Sequence, residues 1–175
     1  MVLFVMAVPL GAVAGFNFWS SEYTASRSEL QAMIAKQFPV SQRYAELVSV
    51  ALSDPQLDLN AEVNRASITA RVSITSPLLR PDRIDGTIAI SSALRYDAAE
   101  RALRLERPKA ERLELRGVTG DSAVRLRQIG GLVAQGLLQG RILRTFSTEE
   151  LSVGSKTYEL GEITVLADGI KVQLK

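Results

Sequence analysis

The side chains that could carry out acid–base or nucleophilic chemistry are few in this chain. It contains no cysteine and no histidine, which excludes thiolate chemistry, zinc sites built from those residues and histidine-dependent catalytic dyads or triads. Carboxylate pairs occur at Asp54/Asp58, Asp82/Asp85 and Glu149/Glu150. Each pair lies in a polar, loop-like stretch, which favours solvated carboxylates over a catalytic pair. The sequence therefore indicates a non-enzymatic protein with no metal site and no cofactor.

Basic residues are concentrated in one part of the chain. Residues 101–144 hold ten basic and four acidic side chains, although the formal net charge of the whole chain is only +2. Such a segment either attracts an anionic surface, such as lipid head groups, or forms a solvated strand face and helix flank. It has no aromatic residues between the basic ones, as base stacking would need, so nucleic acid is not an expected partner.

The stretch that must organise the rest of the chain runs from Asp121 to Phe146 and contains no proline. Asp121 suits an N-cap, and the run predicts one helix of about 39 Å at about 1.5 Å per residue. Its apolar residues occupy two opposite sides, Leu126, Ile129, Val133 and Leu137 on one and Val124, Leu132, Leu138, Ile142, Leu143 and Phe146 on the other. A helix that is apolar on two sides is expected to be covered on both.

The rest of the chain predicts a short helix and then an antiparallel sheet. Ser26 and Glu29 form a capping-box pattern ahead of apolar residues at helical spacing, and residues 41–47 suggest one more helical turn. Alternating segments follow at 48–59, with a bulge or bend at Asp54-Pro55, at 65–75 and at 84–96. Residues 102–118 predict a strand pair or one bent strand, with Pro108 at an edge or bend. A terminal hairpin is predicted over 162–166 and 170–174. This order indicates an α+β domain with helices on one face of a sheet.

An apolar sheet face beside such a helix has two alternative uses. It fills a solid core, or it leaves a slot that accepts a hydrophobic ligand. Gly130, Gly131, Gly136 and Gly140 each disfavour a helix by about 1 kcal/mol, which indicates that some neighbour approaches closely. The predicted lining of the slot is Ile68, Val72, Ile74, Ile88, Ile90, Leu126, Ile129, Val133 and Leu137.

The N-terminal segment has the features of an export signal. Residues 1–19 contain no charged side chain, and Ala12-Val13-Ala14 gives the small-x-small pattern that predicts cleavage after Ala14. Residues 1–14 would then be a signal peptide. The alternative is an uncleaved anchor that extends to about Trp19. In both cases one α+β domain over residues 22–175 is expected to be exported.

Several runs together resemble a known family. They are YTASRSELQAMIAKQF, LVSVALSDPQLDLN, SITARVSIT and LRYDAAERALRLERPKAERLEL, in this order ahead of the long apolar stretch. Over residues 23–146 the chain resembles the YceB-like family of bacterial envelope proteins, long described as a domain of unknown function. The resemblance implies a fold similar to the tubular lipid-binding (TULIP) type, in which a curved antiparallel sheet wraps around a long helix. It also implies a periplasmic protein that holds a lipid or another apolar ligand, and it supplies no catalytic residues. Phe16 stands where related lipoproteins carry a cysteine, so lipidation is not expected.

We therefore expect an exported, non-enzymatic periplasmic domain that binds a lipid-like or other hydrophobic molecule. It would be soluble or held at the inner membrane by its N-terminus, and residues 101–144 would face an anionic membrane surface. The alternative is an envelope structural or adaptor protein with a solid core, which binds a protein partner through a sheet edge or the terminal hairpin.

Overall fold

The computed structural model of the protein describes residues 15–17 and 22–175. It is mostly antiparallel β structure with two helices, consistent with the expected α+β class. In chain order the elements are β1 (Gly15–Asn17), β2 (Glu22–Ser26), α1 (Arg27–Gln37), β3 (Val40–Tyr44), β4 (Val48–Asn60), β5 (Arg65–Thr75), β6 (Arg83–Asp97), β7 (Ala102–Leu115), α2 (Gly120–Leu138), β8 (Ile142–Thr145), β9 (Ser152–Val153), β10 (Lys156–Thr157), β11 (Leu160–Val165) and β12 (Gly169–Leu174).

The larger sheet contains six strands in the order β3-β4-β5-β6-β7-β8, and all neighbours are antiparallel. β5 matches the predicted strand over 65–75, and alternate side chains along it are buried. Ile68 lies opposite Ile90, and Ala70 lies opposite Ile88 on β6. Because side chains alternate between the two faces of a strand, these aliphatic residues share the inner face of the sheet.

Three local features accompany the curl of this sheet into a half-barrel. In β4 the residue Asp54 has a φ of +50°, and the pairing with β5 shifts register beside it. In β7 the residue Arg107, next to Pro108, has a φ of +49°, and the pairing with β6 is irregular there. A Cβ at Gly86 would overlap the backbone oxygen of Glu114, so glycine permits a close approach of β6 and β7. The predicted bulge in β4 and bend in β7 are confirmed, and bulges of this kind bend strands.

The predicted long helix is wrong in its length. α2 has Thr119 rather than Asp121 at its N-cap, and it ends at Leu138. Gly140 has a φ of +68°, the left-handed conformation that commonly follows a helix end. Its amide donates to the carbonyl of Leu105 on β7. The chain therefore leaves the helix at this glycine and joins the edge of the larger sheet as β8.

The prediction that this helix is buried on two sides is also wrong. The buried residues of α2 are Ala123, Leu126, Gly130, Gly131, Val133, Ala134, Leu137 and Leu138, which fall on one side. Val124 and Leu132 are 49% and 68% exposed. Ile142, Leu143 and Phe146 lie beyond the helix. The helical projection failed because it continued past Gly140 and assigned strand residues to a helix face.

The smaller sheet has the order β1-β2-β12-β11. The predicted terminal hairpin is confirmed, and its two strands are β11 and β12. β12 pairs with β2 as well as with β11, and it buries Ile170 and Val172. The hairpin is therefore part of the core of the domain, and its removal would not leave that core intact.

The short helix α1 packs between the sheets. Its predicted capping box is confirmed, because the amide of Ser26 donates to Glu29 Oε2 at 2.8 Å and the amide of Glu29 donates to Ser26 Oγ at 3.3 Å. Gln31 Oε1 accepts the amide of Leu57 on β4 at 2.6 Å, which fixes the helix over the bulged strand. Residues 41–47 are β3 and its turn into β4, so the predicted helical turn there is wrong.

The predicted signal peptide over residues 1–14 lies outside the described residues, as does most of the alternative anchor. Among the residues that the structure describes, no helix combines the length and hydropathy needed to cross a bilayer.

Candidate functional site

The nine residues predicted to line a slot meet between the inner face of the larger sheet and α2. The five on the sheet, Ile68, Val72, Ile74, Ile88 and Ile90, are at most 1% exposed. Of the four on α2, Leu126, Val133 and Leu137 are 7% or 8% exposed, and Ile129 is half-buried. The structure brings all nine into one hydrophobic core. The helix side of this interface is slightly less covered than the sheet side.

Two glycines fix how closely α2 approaches the sheet. A Cβ at Gly130 would lie 3.0 Å from Ile74 Cδ1 and 3.0 Å from Leu113 Cδ2, and a Cβ at Gly131 would lie 3.4 Å from the Cβ of Ala110. The glycines in the helix predicted a close neighbour. For Gly130 and Gly131 this neighbour is the larger sheet, at strands β5 and β7. A methyl group at Gly130 would require the ends of the Ile74 and Leu113 side chains to shift, and a larger side chain would overpack this interface.

A polar contact reinforces the helix on the same side. Gln135 Oε1 accepts the amide of Ala110 at 2.8 Å, beside the irregular part of β7. An unpaired amide in a partly buried position costs roughly 1–3 kcal/mol, so this bond holds α2 against β7. Gln135 was not among the residues predicted to form the site; the available signal was an amide side chain within an apolar helix, one turn from Gly131.

The flank of α2 that faces β3 is packed less closely. A Cβ at Gly136 would meet only the end of the Gln42 side chain, 4.0 Å away. Beyond Val40, all residues of β3 are exposed. By helical spacing, Ile129 and Val133 lie on the same flank as Gly136, and Ile129 is only half-buried. The interface between α2 and β3 is therefore the weaker of the two helix edges; we call it the α2–β3 seam.

One cavity lies away from this interior. It has a volume of about 380 Å³ and is bordered by the β4–β5 turn, the irregular part of β6 and β7, and β11. The guanidinium group of Arg65 at its wall donates to Ser91 and to the carbonyl of Arg107, and Arg95 pairs with Glu106 at 3.1 Å. Arg65, Arg95 and Glu106 therefore have partners within the protein and stabilise the fold there.

The carboxylates singled out in the sequence lie mostly in surface ion pairs. The pairs are Asp58–Arg27 at 3.0 Å, Asp54–Arg71 at 3.4 Å, Asp85–Arg83 at 2.9 Å and Glu150–Arg144 at 2.6 Å. A hydrogen bond from Arg83 lowers the pKa of Asp85. Among the described residues, no group of three or more acidic side chains is placed to hold a metal ion.

Glu150 takes part in a cluster that joins the two sheets. The amide of Ser147 donates to Glu150 Oε2 at 2.8 Å, and this bond is the main cause that lowers the pKa of the Glu150 carboxyl. Arg144 donates to Glu150 and, at 2.6 Å, to the hydroxyl of Tyr23 on β2. Its guanidinium carbon also lies 4.7 Å from the ring centre of Phe146. The cluster is structural, because it connects β8 to β2.

The basic segment does not form one continuous patch. Five of its ten basic residues, Arg104, Arg107, Lys109, Arg112 and Arg144, form ion pairs. The other five have no ion pair among the described residues, and they lie on α2 and on the segments that flank β7 and α2: Arg101, Arg116, Arg125, Arg127 and Arg141. Any anionic surface would therefore meet only part of this segment.

Comparison of the chain with protein-family models found no match, and comparison with curated proteins found none either.

Proposed function

We propose that this domain is a non-enzymatic, periplasmic carrier of a lipid-like or other hydrophobic molecule, with a fold of the tubular lipid-binding type. The observation that carries the proposal is the unequal seating of α2 on the half-barrel. Glycine contacts and the Gln135 hydrogen bond hold its β7 edge, whereas the α2–β3 seam has no comparable contact at Gly136. The resemblance to YceB-like envelope proteins supports the same function.

The ligand would occupy the space that opens when α2 moves away from β3. The surfaces exposed by this motion are aliphatic on both sides, with Ile129 and Val133 on the helix and Val50 on β4. Such surfaces suit an acyl chain and offer nothing specific to a polar molecule. Burial of about ten methylene groups gains roughly 8 kcal/mol, which is enough to offset the loss of several helix contacts. The domain is thus expected to exchange a packed interior for a ligand-filled one.

A charge placed at the seam tests this proposal. We expect oleate to form a one-to-one complex with the wild-type domain in native mass spectrometry, and Ile129→Arg to weaken oleate binding by about tenfold or more, because a desolvated arginine opposes an acyl chain. Leu132→Arg is the matched control, since Leu132 lies on the exposed side of the same helix. It should bind as the wild type does. Urea unfolding of both variants shows whether each is folded.

The adaptor alternative is favoured by one observation, the burial of eight of the nine core residues in one cluster, with Ile129 packed against it. On that alternative the wild-type domain is folded but takes up neither oleate nor a phospholipid. The ligand proposal would then fail, and the exposed edge strand β3 would be the first surface to test for a protein partner.

A further inference from the structure

One end of the half-barrel collects several separate turns. Because the strands form a meander, the β3–β4 turn, the β5–β6 loop and the connection from β7 into α2 must all lie at the same end. The pairing confirms this, since Ser49 lies opposite Thr75 and Thr75 lies opposite Arg83. The amide of Arg116 also donates to the carbonyl of Asp85. The segment that leads into α2 therefore starts beside the first residues of β6.

Exposed apolar side chains are concentrated at this end. Tyr44, Leu47, Leu78 and Val124 are 54%, 49%, 73% and 49% exposed, and we call these four residues the apolar rim. They are half of the eight large apolar side chains that stand exposed among the described residues. Each lies on a different turn or helix end except for Tyr44 and Leu47, which flank one turn. The rim is a set of projecting tips and does not form a flat face.

Arginines accompany the rim. Arg80, Arg116, Arg125 and Arg127 are exposed and have no ion pair in the part of the chain that the structure describes. Residues 43–47, 76–85 and 116–127 together contain six arginines and four carboxylates. Two of the carboxylates are already paired, Glu46 with Arg43 and Asp85 with Arg83. The end therefore presents a surplus of positive charge around its apolar tips.

We propose that this end docks onto an anionic lipid bilayer. Projecting aliphatic and aromatic side chains insert at the boundary between head groups and acyl chains, and nearby arginines gain from the negative surface potential. A surface that binds a protein partner more often has a contiguous apolar patch with a polar border. The proposal holds whether or not the interior takes up a ligand, because the rim lies outside the core.

Vesicle flotation tests the proposal. We expect the wild-type domain to float with vesicles of mixed phosphatidylcholine and phosphatidylglycerol, less with phosphatidylcholine alone, and less again as salt is raised. The double variant Leu47→Asp/Leu78→Asp should reduce binding by about tenfold or more, and Arg80→Glu/Arg125→Glu should remove the preference for anionic vesicles. The control is Val63→Asp/Leu166→Asp, which alters exposed apolar residues that are not on the rim.

Several outcomes would overturn the docking proposal. The proposal fails if the wild-type domain does not float with anionic vesicles, or if the rim variants float as well as the wild type. It also fails if the control variant loses as much vesicle binding as the rim variants. The proposal would also be overturned if the wild-type domain does not float with vesicles but binds a protein through the same end. Oleate binding measured on the same variants reports on the interior separately, so failure of docking and failure of ligand uptake are distinguishable.

Discussion

At the scale of single residues, two glycines of α2 have opposite roles although the sequence presents them alike. Gly136 is exposed and has open space beside it, whereas Gly130 is pressed between Ile74 and Leu113. We expect Gly136→Ala to raise the free energy of unfolding by about 1 kcal/mol through helix propensity alone. Gly130→Val should lower it by roughly 1–3 kcal/mol because the sheet must yield. Urea unfolding of the two variants measures both effects, and equal effects would contradict the described seating of the helix.

Glu150 gives a prediction on pH dependence. Its pKa is lowered in the folded protein from an ordinary value of 4.5. A group whose folded pKa is depressed stabilises the fold above its unfolded pKa, and that contribution is lost as the pH falls through the folded pKa. Glu150→Gln should therefore destabilise the domain by at most about 1 kcal/mol at neutral pH, since the pair is partly exposed. The difference should vanish in acid. Glu62→Gln, which alters a glutamate in an exposed turn, is the control variant.

At the scale of elements, the contacts of α2 with β7 and with β3 decide which edge of this helix is held more firmly against the sheet. Gln135→Ala removes the acceptor of the Ala110 amide and should lower the free energy of unfolding by roughly 1–3 kcal/mol. Gln128→Ala alters an exposed glutamine of the same helix and should change it by less than about 0.5 kcal/mol. Amide hydrogen exchange at Ala110 gives a second measure, because its protection should fall in the first variant only. Unchanged protection would show that the hydrogen bond is not formed in solution.

The elements that the sequence predicts well are those set by local pattern. The alternation in Arg65–Thr75, the capping box at Ser26 and the terminal hairpin all depend on neighbours in the chain, and all are confirmed. The end of α2 depends on a distant contact between Gly140 and Leu105, which no local pattern contains. The nine core residues could be selected by periodicity, but the distinction between the β7 and β3 edges needed the structure.

At the scale of the whole molecule, the terminal hairpin forms part of the core of the domain. β12 lies between β2 and β11, and its Ile170 and Val172 are each 1% exposed. We expect deletion of residues 162–175 to abolish cooperative unfolding, because it removes a central strand and several fully buried side chains. Circular dichroism with thermal or urea unfolding checks this. A truncated domain that still unfolds cooperatively would show that the larger sheet and the two helices are sufficient.

The molecule as a whole is proposed to work by opening along one edge of α2 while the other stays closed. Because the chain contains no cysteine, engineered thiols can tether either edge without interference. Gly131→Cys/Ala110→Cys should form a disulfide on the β7 edge, since the two Cβ positions are 3.4 Å apart, close to the usual spacing of about 3.5–4.5 Å. Gly136→Cys/Gln42→Cys, joined by a short cleavable thiol crosslinker, closes the α2–β3 seam.

Oleate uptake by the two tethered proteins is the most direct test. If α2 opens at the seam, the β3 tether abolishes uptake and cleavage of the crosslinker restores it, whereas the β7 tether leaves uptake unchanged. Uptake that persists with the seam closed, or that both tethers abolish equally, would contradict the proposed opening.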